Sequence, residues 1–500
     1  MKITGVAISC VFISACDRNF DDPVGDSSSY NNGTADFTKF VSIGDSLTAG
    51  FADGALYLTG QQNSYPAILA QQFSQVGGGE FTQPLVSDNF GGVIIDGGAA
   101  DLSNRLVLNT EPKNPPSDLD PKGPEPIAGT YTTSIMDGLT GSFNNMGVPG
   151  AKSFHLGLPA YGDPAGLGAG TANPFFVRFA SSTTTTVITD AAAQQASFFV
   201  MWIGNNDVLS YATSGGTGTN QTGNADPTTY GSDDITDPGY FAGVYSNLVT
   251  AITTANADAK GVLVNIPDVS TIPYFTTVPY NAVPLDQVTV DLLTTSYEPY
   301  NTGLALALTG GAIDQAEHDK RKITFQVGQN AVVIADEDLT DLTGSGLPSM
   351  RQATANDLLV LTTKSKIGTL ADANDPNSVW GVGVPLVDAD VLIPSEISEI
   401  NTARLAFNTS IEAIATADPN LLFYDVAATV NELSTTGINY GTGGISSTYA
   451  TGGAFSLDGI HPTAQGYAVI SNRILDVINS GFNANIPPVD PGTYTTIFIK

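Results

Sequence analysis

The sequence predicts an α/β fold, a mostly parallel sheet buried between helices. Three observations lead there. Short, continuous apolar runs recur along the 500-residue chain, as strands covered on both faces require. Segments with helical spacing separate these runs, and strands that alternate with helices build parallel sheets through crossover connections. The composition agrees, with 42% apolar and 13% charged residues; ordinary globular chains carry about 25% charged residues, so a disordered chain is excluded.

The elements follow in order. Residues 37–43 (FTKFVSI) form a β-favouring run that stops at Gly44, and residues 65–73 (YPAILAQQF) have helical spacing. Residues 196–203 (ASFFVMWI) and 261–266 (GVLVNI) read as buried strands, with a helical pattern over 240–257 between them. The strongest helix spans 395–417, with Ile397, Ile400, Leu405 and Ile411 among its apolar positions, and it leads into a strand at 421–426. A last helix covers 463–478. Two regions break the rhythm. Residues 81–141 are rich in Gly, Pro and Asp, and residues 267–393 mix short pieces such as 331–335 and 357–363. Both are read as insertions on one core domain, 37–482, followed by a tail, 483–500; an independent second domain within 267–393 is the alternative.

At the amino terminus, Lys2 precedes an apolar run over 3–13, far shorter than the roughly 18–20 residues that span a bilayer, which fits a signal peptide. The small residues Ser14 and Ala15 then precede Cys16, a pattern that resembles a bacterial lipobox. That resemblance implies removal of residues 1–15 and lipidation of Cys16, which would anchor the chain in the cell envelope. Cys10 would leave with the signal, so no thiol pair would remain. An ordinary secretory signal is the alternative. Residues 16–36 read as a flexible tether, and Asp17, Asp21 and Asp22 fit, by resemblance, the outer membrane of a Gram-negative bacterium. Eighteen Lys and Arg against 49 Asp and Glu give a net charge of −31. Such a field repels phosphate backbones, so nucleic acid is excluded as a partner and polyanionic substrates are disfavoured.

Four short blocks carry chemistry. Gly44-Asp45-Ser46-Leu47 follows the first strand, where a turn can display a nucleophile above the strand's carboxyl end, although a Ser-capped turn reads the same. Among three histidines, His318 lies in a charge run (AEHDKRK) that reads as a solvated face, and His155 follows Phe154 on an apolar patch. That leaves His461. In Asp458-Gly459-Ile460-His461 a three-residue spacing on a turn can bring the carboxylate to one imidazole nitrogen while the other faces outward. Asn145-Met146-Gly147-Val148-Pro149-Gly150 offers an unhindered backbone N–H at Gly150, and Gly204-Asn205-Asn206-Asp207 offers an amide side chain at a strand end; both could donate to a developing oxyanion.

Together, and in this order, the blocks resemble the SGNH hydrolases, also called the GDSL esterase and lipase family. The resemblance implies a flavodoxin-like three-layer α/β/α sandwich with a mostly parallel sheet, on which this chain would carry the two large insertions at about 81–141 and 267–393. It further implies a serine hydrolase of carboxylic esters that works through an acyl-enzyme and needs no cofactor. Ser46 would be the nucleophile, His461 the general base and Asp458 its orienting partner. The N–H groups of Ser46 and Gly150 and the side chain of Asn206 would form the oxyanion hole. No His/Cys cluster suggests a metal. Substrates would be neutral esters, either of lipids or small molecules or, as the alternative, O-acetyl groups of glycans. A non-catalytic surface lipoprotein that binds glycan or lipid is the rival from another class. The insertions, and Lys152 where small hydroxyl residues are frequent, depart from the compact family pattern.

Overall fold

The computed structural model describes residues 29–95, 101–114 and 118–500; the signal-peptide segment 1–15, Cys16 and the tether up to residue 28 lie outside them. Its centre is a five-stranded, all-parallel sheet: β1 (Phe40–Gly44), β2 (Asn145–Gly147), β3 (Phe198–Trp202), β4 (Lys260–Val264) and β5 (Leu421–Tyr424). Across the sheet the order is 2-1-3-4-5. Every residue of β1 and β3 is buried, so β3 is an uninterrupted apolar run rather than an alternating one, and β1 departs from one only at Ser42.

Helices flank the sheet. α1 (Ser46–Ala49) and α2 (Tyr65–Ser74) follow β1; α3 (Val187–Ala193) precedes β3; α4 (Asn206–Thr213) and α5 (Pro238–Ala255) connect β3 to β4. α6 (Gln287–Thr309) belongs to the long segment after β4, α7 (Pro394–Ala417) returns to β5, and α8 (Val426–Thr435) and α9 (Ala464–Phe482) close the order. Successive strand residues point to opposite faces. Phe40 packs on Phe73 of α2, Phe198 packs on Phe73 and on Phe482 of α9, and Ser42 Oγ lies 3.0 Å from Tyr65 Oη of α2. α5 and α7 join through Phe241 and Phe407, stacked at 4.1 Å. Among the described residues no helix is long and apolar enough to cross a membrane.

The strand order places a topological switch point at β1 and β3. The chain adds β2 on one side of β1, then returns to add β3, β4 and β5 on the other. Loops leaving the carboxyl ends of β1 and β3 therefore diverge and open a crevice, where open parallel sheets bind ligands. Both the Ser46 turn and the Asn206 turn leave the sheet at this edge.

The segment 267–393 has a hydrophobic cluster of its own, built from residues such as Leu304, Val333, Ile334, Leu359 and Leu386. Arg351 is held inside it by Asp336 and by a bidentate pair with Asp357 at 2.6 and 2.7 Å. A cavity of about 880 Å³ lies beside α6 in the same region. The charge run around His318 is less solvated than its composition suggests. Arg321 is fully buried, donating to the carbonyls of Thr340 and Pro348, and pairs with Glu317 at 3.1 Å.

Residues at the end of the stretch expected as tether are held against the core. Thr34 donates its N–H to the Phe482 carbonyl, Asn31 pairs with Asn485, and Ala35 is buried. The tail also packs. Phe498 lies under the Arg105 guanidinium at 3.9 Å, and its carbonyl accepts from the Leu108 N–H.

Candidate active site

The first block forms a tight turn from β1 into α1. A Cβ at Gly44 would sit 2.2 Å from the Trp202 carbonyl and from Thr48 Oγ1, so only glycine fits there. Asp45 caps α1, accepting from the Leu47 N–H at 3.0 Å, and accepts from Asn205 Nδ2 at 2.9 Å. Burial pushes its carboxyl up to about 6, against the pull of those two donors. Asp45 thus ties the turn after β1 to the turn after β3, across the switch point.

Ser46 is the first residue of α1, and its Oγ lies 2.8 Å from His461 Nε2. The other imidazole nitrogen, Nδ1, lies 2.9 Å from Asp458 Oδ2. An ionised carboxylate only accepts, so Nδ1 carries the proton and Nε2 is left to accept the serine O–H. Burial works against ionisation of Asp458, but His461 and the N–H groups of His461 and Ile460 outweigh it and hold the carboxyl down at about 2. Further donors fix the carboxylate: the Gly54 N–H at 2.9 Å and Ser456 Oγ at 3.0 Å. The Phe51 ring packs on the imidazole at 4.7 Å.

The donor blocks meet in the same way. Gly150 has φ +79, a conformation that disfavours a side chain, and it is exposed. Its turn is pinned on both sides: Asn173 Nδ2 donates to the Pro149 carbonyl at 2.8 Å and Asn206 Nδ2 donates to the Ala151 carbonyl at 2.9 Å. A carboxamide has two N–H donors, so one of Asn206 remains for a ligand. The first N–H groups of a helix have no partner within it, and Ser46 opens α1. Asp207 completes the link by accepting from Ser153 N–H and Oγ, both at 2.8 Å. Ser153 thus supplies a hydroxyl next to Lys152, whose buried ammonium donates to the Asp234 carbonyl at 2.6 Å.

Ser46, His461 and Asp458 therefore form one hydrogen-bonded chain, and Asn206 is bonded into the Gly150 turn. His155 is half-buried and stacked on Tyr161, with Nδ1 accepting the Lys152 N–H at 3.1 Å; desolvation, then Lys152, pushes it down to about 4. His318 lies 2.9 Å from Asp319. The supporting roles of Asp45, Phe51, Gly54, Asn205 and Ser456 had no reading in the sequence; of these only Asp45 and Asn205 stood inside a motif. Beside Ser46 and His461 opens a narrow, mostly apolar cavity of about 50 Å³. The chain was compared with protein-family models, curated proteins and solved structures, and none of them matches.

Three acidic side chains could hold a metal ion: oxygens of Glu337, Asp388 and Glu396 lie within 4.8 Å of one another. Glu396 is buried at the start of α7, where it accepts from the Ile393 N–H at 2.7 Å. Burial, then Glu337 and Asp388, pushes its carboxyl up to about 8; burial, then Glu337, pushes Asp388 up to about 6. A carboxyl raised in the folded state holds a proton that the unfolded chain releases, so its stabilising effect is lost as pH rises through the folded value. The melting temperature is expected to fall between pH 5 and pH 8, and Glu396→Gln should flatten that slope and raise the melting temperature at pH 8. Thermal unfolding at several pH values reads this; an unchanged slope in the variant contradicts it.

Proposed function

We propose that the chain is a serine hydrolase of carboxylic esters, of the SGNH (GDSL) kind. The observation that carries the reading is the chain Asp458–His461–Ser46, with bonds of 2.9 and 2.8 Å, standing where a parallel sheet opens its ligand crevice. The strand order 2-1-3-4-5 supports a flavodoxin-like sandwich, since that is the order of flavodoxin-like sheets.

In this reading His461 Nε2 takes the Ser46 proton as Oγ attacks the ester carbonyl. The oxyanion develops towards the N–H groups of Ser46 and Gly150 and the free amide hydrogen of Asn206. The imidazolium is stabilised by Asp458 and returns its proton to the departing alcohol. Water, deprotonated by the same histidine, then releases the acid. Every group required is a side chain or backbone N–H of this chain.

Release of p-nitrophenol from short esters, unaffected by chelators and lowered by several orders of magnitude in Ser46→Ala, tests the activity. Asn206→Ala is expected to lower kcat by roughly 100- to 1000-fold. Steady-state kinetics reads it, and an unchanged kcat would remove Asn206 from the oxyanion hole. We place the protein in the cell envelope, anchored through Cys16. Mass spectrometry of the amino-terminal peptide should find an acylated Cys16; an unmodified peptide contradicts the anchor.

A further inference from the structure

The insertion 267–393 holds a cavity of about 880 Å³, against about 50 Å³ for the one beside Ser46. The two share no lining residue, so the chemistry proposed at Ser46 leaves the larger one without a role. Its size falls within the roughly 300–1,000 Å³ of sites that take small molecules. Leu293, Tyr297, Tyr300, Leu347, Met350 and Val382 line it and are buried parts of the surrounding hydrophobic cluster. Packing therefore holds these walls in place before any ligand arrives.

The lining restricts what fits. Tyr297 commits its O–H to the Val382 carbonyl at 2.5 Å, and Tyr300 commits its own to the Met350 carbonyl at 2.9 Å. No lining residue is charged, and none has a buried side-chain polar atom that lacks a partner. A polar ligand would lose its water there without side-chain hydrogen bonds to replace it. An apolar ligand instead removes apolar surface from water on both sides of the contact, including that of Leu292, which is 56% exposed. The shape is elongated along α6. Thr289, Leu292, Ser296, Pro299 and Gly303 line the cavity at steps of three and four residues, a single helix face that runs for about 21 Å.

Charge at the rim narrows the choice further. Exposed Asp286, Asp291, Glu298 and Asp375 each adjoin a lining residue in sequence. The two cations that do so are engaged: Arg351 is buried between Asp336 and Asp357, and Lys366 pairs with Asp390. An anionic head group would meet this acidic rim on a chain of net charge −31. We propose that the cavity of the insertion is a binding site for an uncharged molecule with an extended hydrocarbon chain. The site stands apart from the ester-hydrolase reading and does not depend on it.

The test titrates the full chain with N-phenyl-1-naphthylamine, an uncharged apolar dye that brightens on leaving water. Cys16→Ser is used as the background so that no acyl anchor takes up the dye. One equivalent should bind at about micromolar concentration. Decanol should displace it, and decanoate should need at least about 10-fold more. Ser296→Trp fills the cavity from an exposed position on α6, and Leu292→Asp places a charge on the same face. Each should weaken dye binding by about 10-fold or more with the melting temperature unchanged, and if one of them fails to fold the other decides. No saturable binding, decanoate displacing as well as decanol, or full affinity in the folded variants overturns the proposal. Binding that survives both variants would belong elsewhere, the cavity beside Ser46 included. Fluorophosphonate labelling of Ser46 decides the hydrolase reading separately.

Discussion

Ser46→Ala and His461→Ala are each expected to lower turnover of a small activated ester by about 10⁶-fold, with the double variant scarcely worse than either single one. The reason is the 2.8 Å contact between Oγ and Nε2. A serine hydroxyl at neutral pH is a poor nucleophile unless a base takes its proton during attack, and the base has nothing to activate once the hydroxyl is gone. The two side chains thus act as one unit and their losses do not add. Oxyanion donors would still bind the carbonyl, so a residual rate above that in water should persist. His155→Ala and His318→Ala serve as controls and should retain most activity, since His155 is occupied by Lys152 and Tyr161 and His318 by Asp319. A large loss in His155→Ala with Ser46-dependent activity otherwise intact would mean that the base is misassigned.

Asp458→Asn is expected to cost about 10⁴-fold in kcat with a smaller change in KM. Asp458 does more than face His461. Its Oδ1 accepts from the N–H groups of Ile460 and His461, both at 2.8 Å, and its Oδ2 accepts from the Gly54 N–H as well as from Nδ1. Both oxygens are therefore surrounded by donors. An asparagine must turn its NH₂ towards one set, leaving either the loop or the imidazole facing a second donor. If the NH₂ meets Nδ1, the imidazole proton moves to Nε2 and the base no longer accepts from Ser46. Because the carboxyl is held at about 2 in the folded protein, its ionised form also stabilises the fold above the ordinary carboxylate range, and that contribution is lost as pH falls through the folded value. Asp458→Asn should accordingly melt lower than wild type at neutral pH and approach it near pH 2. Kinetics and thermal melts together read both effects; wild-type kcat in the variant would remove Asp458 from the chemistry.

What the sequence revealed follows from how local each signal is. β3 was legible because burial on both faces turns a strand into an unbroken apolar run, and β1, β4 and β5 because each is a short, mostly apolar, β-favouring run. β2 was not. It has three residues, and Asn145 and Gly147 within it look like loop punctuation; its strand character comes from pairing with β1 across a hundred residues of chain. α6 also escaped, since its periodicity is blurred by exposed Val288, Leu292 and Leu306 and by Pro299 inside it. Ser46, Asp458 and His461 stood out because each lies in a short motif with few competitors, three histidines in the whole chain. Their supports did not. The Asp45–Asn205 bond joins residues 160 apart and the Gly54–Asp458 bond residues 404 apart, and neither partner carries a pattern that anticipates the other. The apolar cavity is assembled from β3, α4, α8 and α9, so only the folded chain reveals its size.

The most direct measurement is active-site labelling. A fluorophosphonate reacts with a serine hydroxyl only where a base and oxyanion donors activate it, whatever the natural ester. Folded full-length protein is expected to incorporate one equivalent, with the adduct mapped by mass spectrometry to the peptide holding Ser46, and Ser46→Ala and His461→Ala should incorporate none. Labelling that is absent from the folded wild type, or that persists in Ser46→Ala, would contradict the assignment of a serine hydrolase.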